Sequence, residues 1–171
     1  FGGGASVLMR KDRVGTEIYN DLDGDVVNLF RVVRERGEEL VQACELTPFA
    51  RSEFEQAYEE SGSDLERARR VLVRSFMGFG SAGVTKQITG FRANTSRSYS
   101  TPAMNWRDYP DHLRALIERL RGVVIEQRDA LDEQLRDIEQ TVACPEQRPK
   151  IQQARSLLAT KKVASDRAAQ D

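Results

Sequence analysis

The sequence predicts an α/β fold in which a parallel sheet carries a helical insertion between two strands. Three observations lead there. The chain opens on a glycine-rich loop, Phe1-Gly2-Gly3-Gly4-Ala5-Ser6-Val7, of a kind that normally follows a strand and opens a helix. The apolar pattern then runs strand, helices, strand, helix, the order of a parallel crossover. Between Gly78 and Asn105 no apolar period survives, and a loop this long inside a compact domain is usually functional or disordered.

The elements follow in order. Ala5 to Arg10 has room for one or two helical turns, and Val14 to Asp21 reads as a short strand closing on Asn20-Asp21. Asp23-Gly24-Asp25 supplies turn and capping residues. From Asp25 onward Val26, Leu29, Phe30, Val33, Leu40 and Val41 form a stripe near helical period. A second helix is expected from Thr47-Pro48 or from the capping box Ser52-x-x-Glu55, with Phe54 and Tyr58 on one face. Ser63-x-x-Glu66 is another such box, opening a helix with Leu65, Ala68, Leu72 and Phe76 inward. After the irregular segment, Tyr109-Pro110-Asp111 restarts a helix through Leu113, Leu116, Ile117 and Leu120, stopped by Gly122. Val123 to Glu126 reads as a buried strand, followed by Asp129. Beyond Leu131, Leu135, Ile138 and Val142 continue a helical stripe that Cys144-Pro145 breaks, and the polar end from Lys161 frays.

Composition excludes several classes. A chain of 171 residues, 39% of them apolar, supports one modest core. No stretch reaches the length of a membrane span and no leader pattern is visible, so a cytoplasmic protein without a membrane partner is expected. Cys44, Cys144 and the single His112 are too few and too scattered for a zinc site.

Charge is uneven along the chain. Arg67, Arg69, Arg70, Arg74, Lys86, Arg92, Arg97 and Arg107 lie in a window without an acidic residue, and the remaining 18 basic residues face all 27 acidic ones. Phe76, Phe79, Phe91, Tyr99 and Trp106 are interleaved with those bases. Such a segment can neutralise phosphates and offer rings for stacking on bases. The alternative is a solvated basic face whose aromatics belong to the core. Arg74, Lys86, Arg92 and Arg97 are the candidate DNA contacts, with Phe79 as a stacking ring.

Asp21 lies 17 residues after Gly4, at the end of the next expected strand. An acid there can accept hydrogen bonds from both ribose hydroxyls of a nucleoside cofactor; the alternative is a helix cap or turn former. Asp129, just past the later strand, can receive an adenine amino group or cap the helix from Leu131. A dinucleotide binder is disfavoured because the glycines are not spaced GxGxxG.

The glycine loop, Tyr19-Asn20-Asp21-Leu22-Asp23 and Gly122-Val123-Val124-Ile125-Glu126-Gln127-Arg128-Asp129 together resemble the Dam-type class of adenine-specific DNA methyltransferases over residues 1 to 131. The resemblance implies a partial Rossmann-like methyltransferase sheet with S-adenosylmethionine as cofactor and double-stranded DNA as partner. It places the cofactor at Phe1, Gly2 and Gly3, its ribose on Asp21 and its adenine on Asp129. Arg74 to Ser81 and Gly90-Phe91-Arg92 resemble the target-recognition region of that family. The implied division is 1–45 for the start of the cofactor core, 46–110 for the DNA-recognition insertion, 111–131 for the return to the core, and 132–171 for a divergent helical tail. The family's first strand and lysine-bearing segment, expected ahead of Phe1, are not in this chain. Nor is its catalytic Asp-Pro-Pro-Tyr: the sequence contains no Pro-Pro, so no catalytic residue is assigned. A truncation, frameshift or recombination near residue 131 would produce this picture. The expectation is an incomplete methyltransferase, inactive alone; a non-catalytic DNA-binding or interaction module is the alternative.

Overall fold

The computed structural model describes residues 2–80, 88–93, 101–129 and 156. The chain divides into two compact units, Phe1–Gln127 and Arg128–Asp171. All the elements that follow belong to the first.

The order is α1 (Ser6–Arg10), β1 (Glu17–Asn20), α2 (Gly24–Glu35), α3 (Gly37–Glu45), α4 (Arg51–Gln56), α5 (Asp64–Met77), α6 (Pro102–Leu120) and β2 (Val123–Glu126). This is a mixed α/β fold, mostly helical, around a two-stranded parallel sheet. β1 and β2 pair in parallel, Glu17 opposite Val123 through Asn20 opposite Glu126, so among the described residues α2 to α6 lie in the crossover between them. Strand alternation puts Tyr19 and Val123 in the core and leaves Ile18 and its partner Val124 exposed. β2 is therefore half-covered rather than buried as expected, because helices pack on only one face of the described sheet.

The apolar stripe from Asp25 is two helices, not one. Asp23 caps α2, its Oδ1 accepting from the amides of Asp25 (2.8 Å) and Val26 (3.3 Å). The chain breaks at Arg36, and α3 begins at Gly37, where a Cβ would stand 2.6 Å from Ile117 of α6. Only glycine allows the two helices to approach so closely. Val33, Leu40, Val71, Leu113 and Leu120 are almost fully buried between α2, α3, α5 and α6, each worth about 1.5–3 kcal/mol of apolar transfer.

Two expected helix starts are corrected. α4 begins at Arg51 behind Ala50, which makes no side-chain cap, so the Ser52 box is not used; Ser52 already lies inside the helix. α6 begins at Pro102 rather than at Tyr109. Thr101 accepts from the Met104 amide (3.3 Å) and Pro102 sits at the first turn, where it needs no amide partner. The helix then runs on through Pro110, across the boundary drawn at residue 110. Ser63 does cap α5, with Oγ accepting from the Glu66 amide at 3.5 Å, but the reciprocal half of the box is not made: the Ser63 amide donates to Ser61 Oγ and the Glu66 carboxylate accepts from Arg69 and Arg70. The expected helices beyond Leu131 lie outside the described residues, apart from Ser156, which is helical.

Candidate nucleoside site and basic segment

The glycine loop folds back onto the carboxyl end of β1. The Gly2 amide donates to the Asn20 carbonyl (3.0 Å), and the Ala5 amide closes a turn onto the Gly2 carbonyl (2.9 Å). Gly3 and Ala5 both take left-handed backbone conformations, at φ +48° and +55°. For Ala5 that costs about 1–2 kcal/mol, and the residue is nonetheless buried. The Tyr19 hydroxyl donates to the Gly3 carbonyl at 2.7 Å. Burial, with Asp21 and Asp23 nearby, pushes the Tyr19 phenol well above its ordinary range, so it stays a protonated donor.

Asp21 sits at the centre of this arrangement, 8% exposed. Its Oδ2 accepts from the Gly3 amide (2.7 Å) and its Oδ1 from the Asp23 amide (2.9 Å). Its own amide donates to the Glu126 carbonyl of β2 (3.3 Å). Burial works against ionisation, and the two amides are among the groups that outweigh it, so the carboxyl titrates below its ordinary range. The turn-former reading describes what Oδ1 does; Oδ2 reaches the loop 18 residues earlier. Gly2 and Gly3 are thus brought together with Asp21. Phe1 lies outside the described residues, and Asp129 belongs to the second unit.

Residues that the sequence did not single out hold the loop from behind. Arg119 of α6 forms a bidentate pair with Glu17 of β1 (2.7 and 2.9 Å) and also donates to the Leu8 carbonyl of α1 (2.7 Å). Lys11 adds a second cation to Glu17 at 2.8 Å. Hydrogen bonding from Arg119, then from Lys11, lowers the Glu17 carboxyl to about 2. An acid at a core-facing strand position was the only signal of this clamp.

The acid-free window looks different in three dimensions. Arg67 pairs with Asp25 (3.1 Å) and Asp64 (3.3 Å), Arg69 with Glu53 (2.9 Å) and Glu66 (2.7 Å), and Arg70 with Glu66 (2.8 Å). The carboxylates come from α2, α4 and the first turn of α5, so a charge excess along the chain is offset by ion pairs in the fold. Arg74 is corrected as an exposed DNA contact. It is buried, its Nη1 donating to the Ala57 carbonyl (2.6 Å) and its Nη2 3.6 Å from Asp25. Arg92 is half-buried and donates to the Phe76 carbonyl at 3.1 Å. Lys86 and Arg97 lie outside the described residues.

Most of the interleaved rings belong to the core. Trp106 stacks on Tyr109 (5.4 Å) and both meet Phe76, while Phe91 packs on Phe49 and Phe54. Phe79 differs, with 55% exposed. It leaves α5 on a short bridge between Gly78 and Phe91, fixed by its amide on the Gly90 carbonyl (3.0 Å).

Among the described residues no group of acids, histidines and cysteines is placed to hold a metal ion, and no helix is long and apolar enough to cross a membrane. Cys44 is buried, which pushes its thiol up to about 12 and makes it inert as a nucleophile. No protein-family model and no curated protein matches the chain.

Proposed function

We propose that the chain carries the cofactor-holding part of an S-adenosylmethionine-dependent, adenine-specific DNA methyltransferase, and that alone it transfers no methyl group. The observation that supports this reading is Asp21 receiving the Gly3 amide at the carboxyl ends of two adjacent parallel strands. In open parallel sheets, ligands bind outside those strand ends.

The residues present fit a nucleoside. A carboxylate held in orientation by two amides is prepared to receive a vicinal diol, with little left to order on binding. At Gly3 and Gly4 no atom stands within 4 Å of where a Cβ would be, so the outer side of the loop is open. S-adenosylmethionine supplies the reactive methyl when bound; the chain orients it. Phe1 keeps its proposed cofactor role through the family resemblance. Lys86, Arg92, Arg97 and Phe79 remain the proposed contacts to double-stranded DNA; Arg74 leaves that set. The inactivity follows from the sequence, which has no Asp-Pro-Pro-Tyr to accept from the target amine.

Equilibrium dialysis against labelled S-adenosylmethionine tests both halves. The expected result is saturable binding, competed by S-adenosylhomocysteine but not by a nicotinamide dinucleotide, weakened roughly tenfold or more by Asp21→Ala, with no label passing to duplex DNA. Failure of the folded chain to bind overturns the cofactor assignment. Label in DNA that Asp21→Ala abolishes overturns the inactivity.

A further inference from the structure

The glycine loop leads into α1, and α1 has little of its own to hold it in place. It spans five residues, none of them buried, and Ala5 at its head makes no side-chain cap. A helix that short does not persist in water by itself. Ala5 also keeps its left-handed backbone, at φ +55°, a conformation that survives only where neighbouring contacts over-determine it. Upstream, those contacts are the hydrogen bonds that Gly2 and Gly3 make with Tyr19, Asn20 and Asp21.

Downstream, the contacts converge on the last turn of α6. Arg119 donates from Nη2 to the Leu8 carbonyl at 2.7 Å, one of the terminal carbonyls that a helix cannot satisfy internally. The same guanidinium holds both oxygens of Glu17, at 2.7 and 2.9 Å. Glu17 in turn holds Lys11, the residue that ends α1, at 2.8 Å. Arg13, two residues further on, donates to the Glu118 carbonyl. The side chains of Arg119 and Glu17 are only 14% and 5% exposed, so little water competes for these contacts. The arrangement uses the shape of arginine as well as its charge. One planar fork meets a carboxylate with two nitrogens and reaches a carbonyl of another element with one of them. A lysine ammonium is a compact charge on a flexible stem. It can stay beside Glu17, but it does not span both carboxylate oxygens and the Leu8 carbonyl together.

We propose that Arg119 is a positioning residue of the nucleoside site: it fixes the downstream end of the glycine loop, and so sets the affinity for the cofactor by acting through the loop. The effect on affinity rests on the cofactor reading given above; the effect on the loop rests on the contacts alone.

Equilibrium dialysis of the whole chain with labelled S-adenosylmethionine, paired with hydrogen exchange at the residue 3 amide, tests the assignment. In Arg119→Lys the dissociation constant is expected to rise roughly tenfold, and exchange at residue 3 to accelerate by a similar factor. Exchange at Val71 and Val73, buried in α5, stays at the wild-type rate and shows the body intact. Arg114→Lys, on the same helix but paired with Glu45 and Asp111, leaves both readings unchanged. Added to Asp21→Ala, Arg119→Lys costs less than it does alone, because both changes act through one loop. Wild-type exchange at residue 3 in Arg119→Lys overturns the proposal. So does faster exchange with unchanged affinity, full additivity with Asp21→Ala, or an equal loss of protection in α5. A wild-type chain that binds no cofactor overturns the cofactor reading instead, and exchange at residue 3 then decides whether Arg119 positions the loop.

Discussion

Alanine placed at Gly2, Gly3 and Gly4 in turn separates three physical demands on adjacent residues. At Gly2 the new Cβ meets the Tyr19 ring, with Cζ at 2.8 Å, and the Asn20 carbonyl oxygen at 2.9 Å. Neither can yield: the ring packs on Phe30 with centroids 4.4 Å apart and its hydroxyl is bonded to Gly3, while the carbonyl belongs to β1. The loop must lift instead. It then loses the Gly2–Asn20, Tyr19–Gly3 and Gly3–Asp21 hydrogen bonds, in part replaced by water, for a net cost of about 2–3 kcal/mol. At Gly3 space is open, but φ is +48°, and alanine there costs about 1–2 kcal/mol. At Gly4 space is open and no left-handed angle is required, so alanine is neutral or slightly stabilising through the unfolded chain.

Hydrogen exchange at the amide of residue 3 reads the series directly, since it is bonded to Asp21 only while the loop is docked. Exchange there is expected to accelerate roughly thirty- to hundredfold in Gly2→Ala, several-fold to tenfold in Gly3→Ala, and not at all in Gly4→Ala. The midpoint of global unfolding moves less than exchange does, because α1 has no buried residue and the body survives its release. A Gly4→Ala effect equal to that of Gly2→Ala, or unchanged exchange in Gly2→Ala, would refute the docked loop.

Three further outcomes follow from the same geometry. The folded carboxyl of Glu17 is lowered to about 2 by Arg119 and Lys11; its contribution is therefore full above the unfolded value near 4.5 and lost as pH falls from there toward 2. Urea midpoints of wild type and Glu17→Gln should differ at pH 7 and converge near pH 2; a constant gap would refute the clamp. Arg74→Met strands the Ala57 carbonyl and removes the cation beside Asp25, costing about 1–3 kcal/mol by urea unfolding, whereas Arg107→Gln, whose side chain is 70% exposed, stays within about 0.5 kcal/mol. Ser63→Ala removes a working cap and costs about 0.5–1 kcal/mol; Ser52→Ala, at a box the chain does not use, leaves thermal unfolding within about 0.5 kcal/mol of wild type.

What could be read from the sequence divides along physical lines. Elements announced by local chemistry were legible: β1 by the turn signal Asn20-Asp21 that closes it, β2 by its apolar run, and α5 by Ser63. Elements decided by distant contacts were not. Gly37, at the junction of α2 and α3, is required by Ile117, 80 residues away, whose side chain occupies the space a Cβ would fill, and the sequence pattern alone does not show that contact. The start of α6 was legible in principle, since Thr101-Pro102 is a cap followed by a first-turn proline, but Pro110 was read as a beginning instead of an interior residue. Charge was the least legible property. A window without acids along the chain met Asp25 and Glu53 from two other helices, and only the folded unit places them together.

The pairing of β1 with β2 also sets a timetable for synthesis. Val123 follows its partner Glu17 by 106 positions, so at about 5–20 residues per second β1 waits roughly 5–20 seconds for the strand that completes its ladder. The contacts of α2 with α3 and of α4 with α5 join near neighbours and can form in that interval, whereas the sheet is the high-contact-order event that comes late. Until then Ile18 and Tyr19 stand on an unpaired strand edge of the nascent chain. The glycine loop has nowhere to dock before Tyr19 is fixed. Loop, sheet and Arg119 clamp should therefore mature as one late step, and binding competence would appear only when α6 and β2 have left the ribosome.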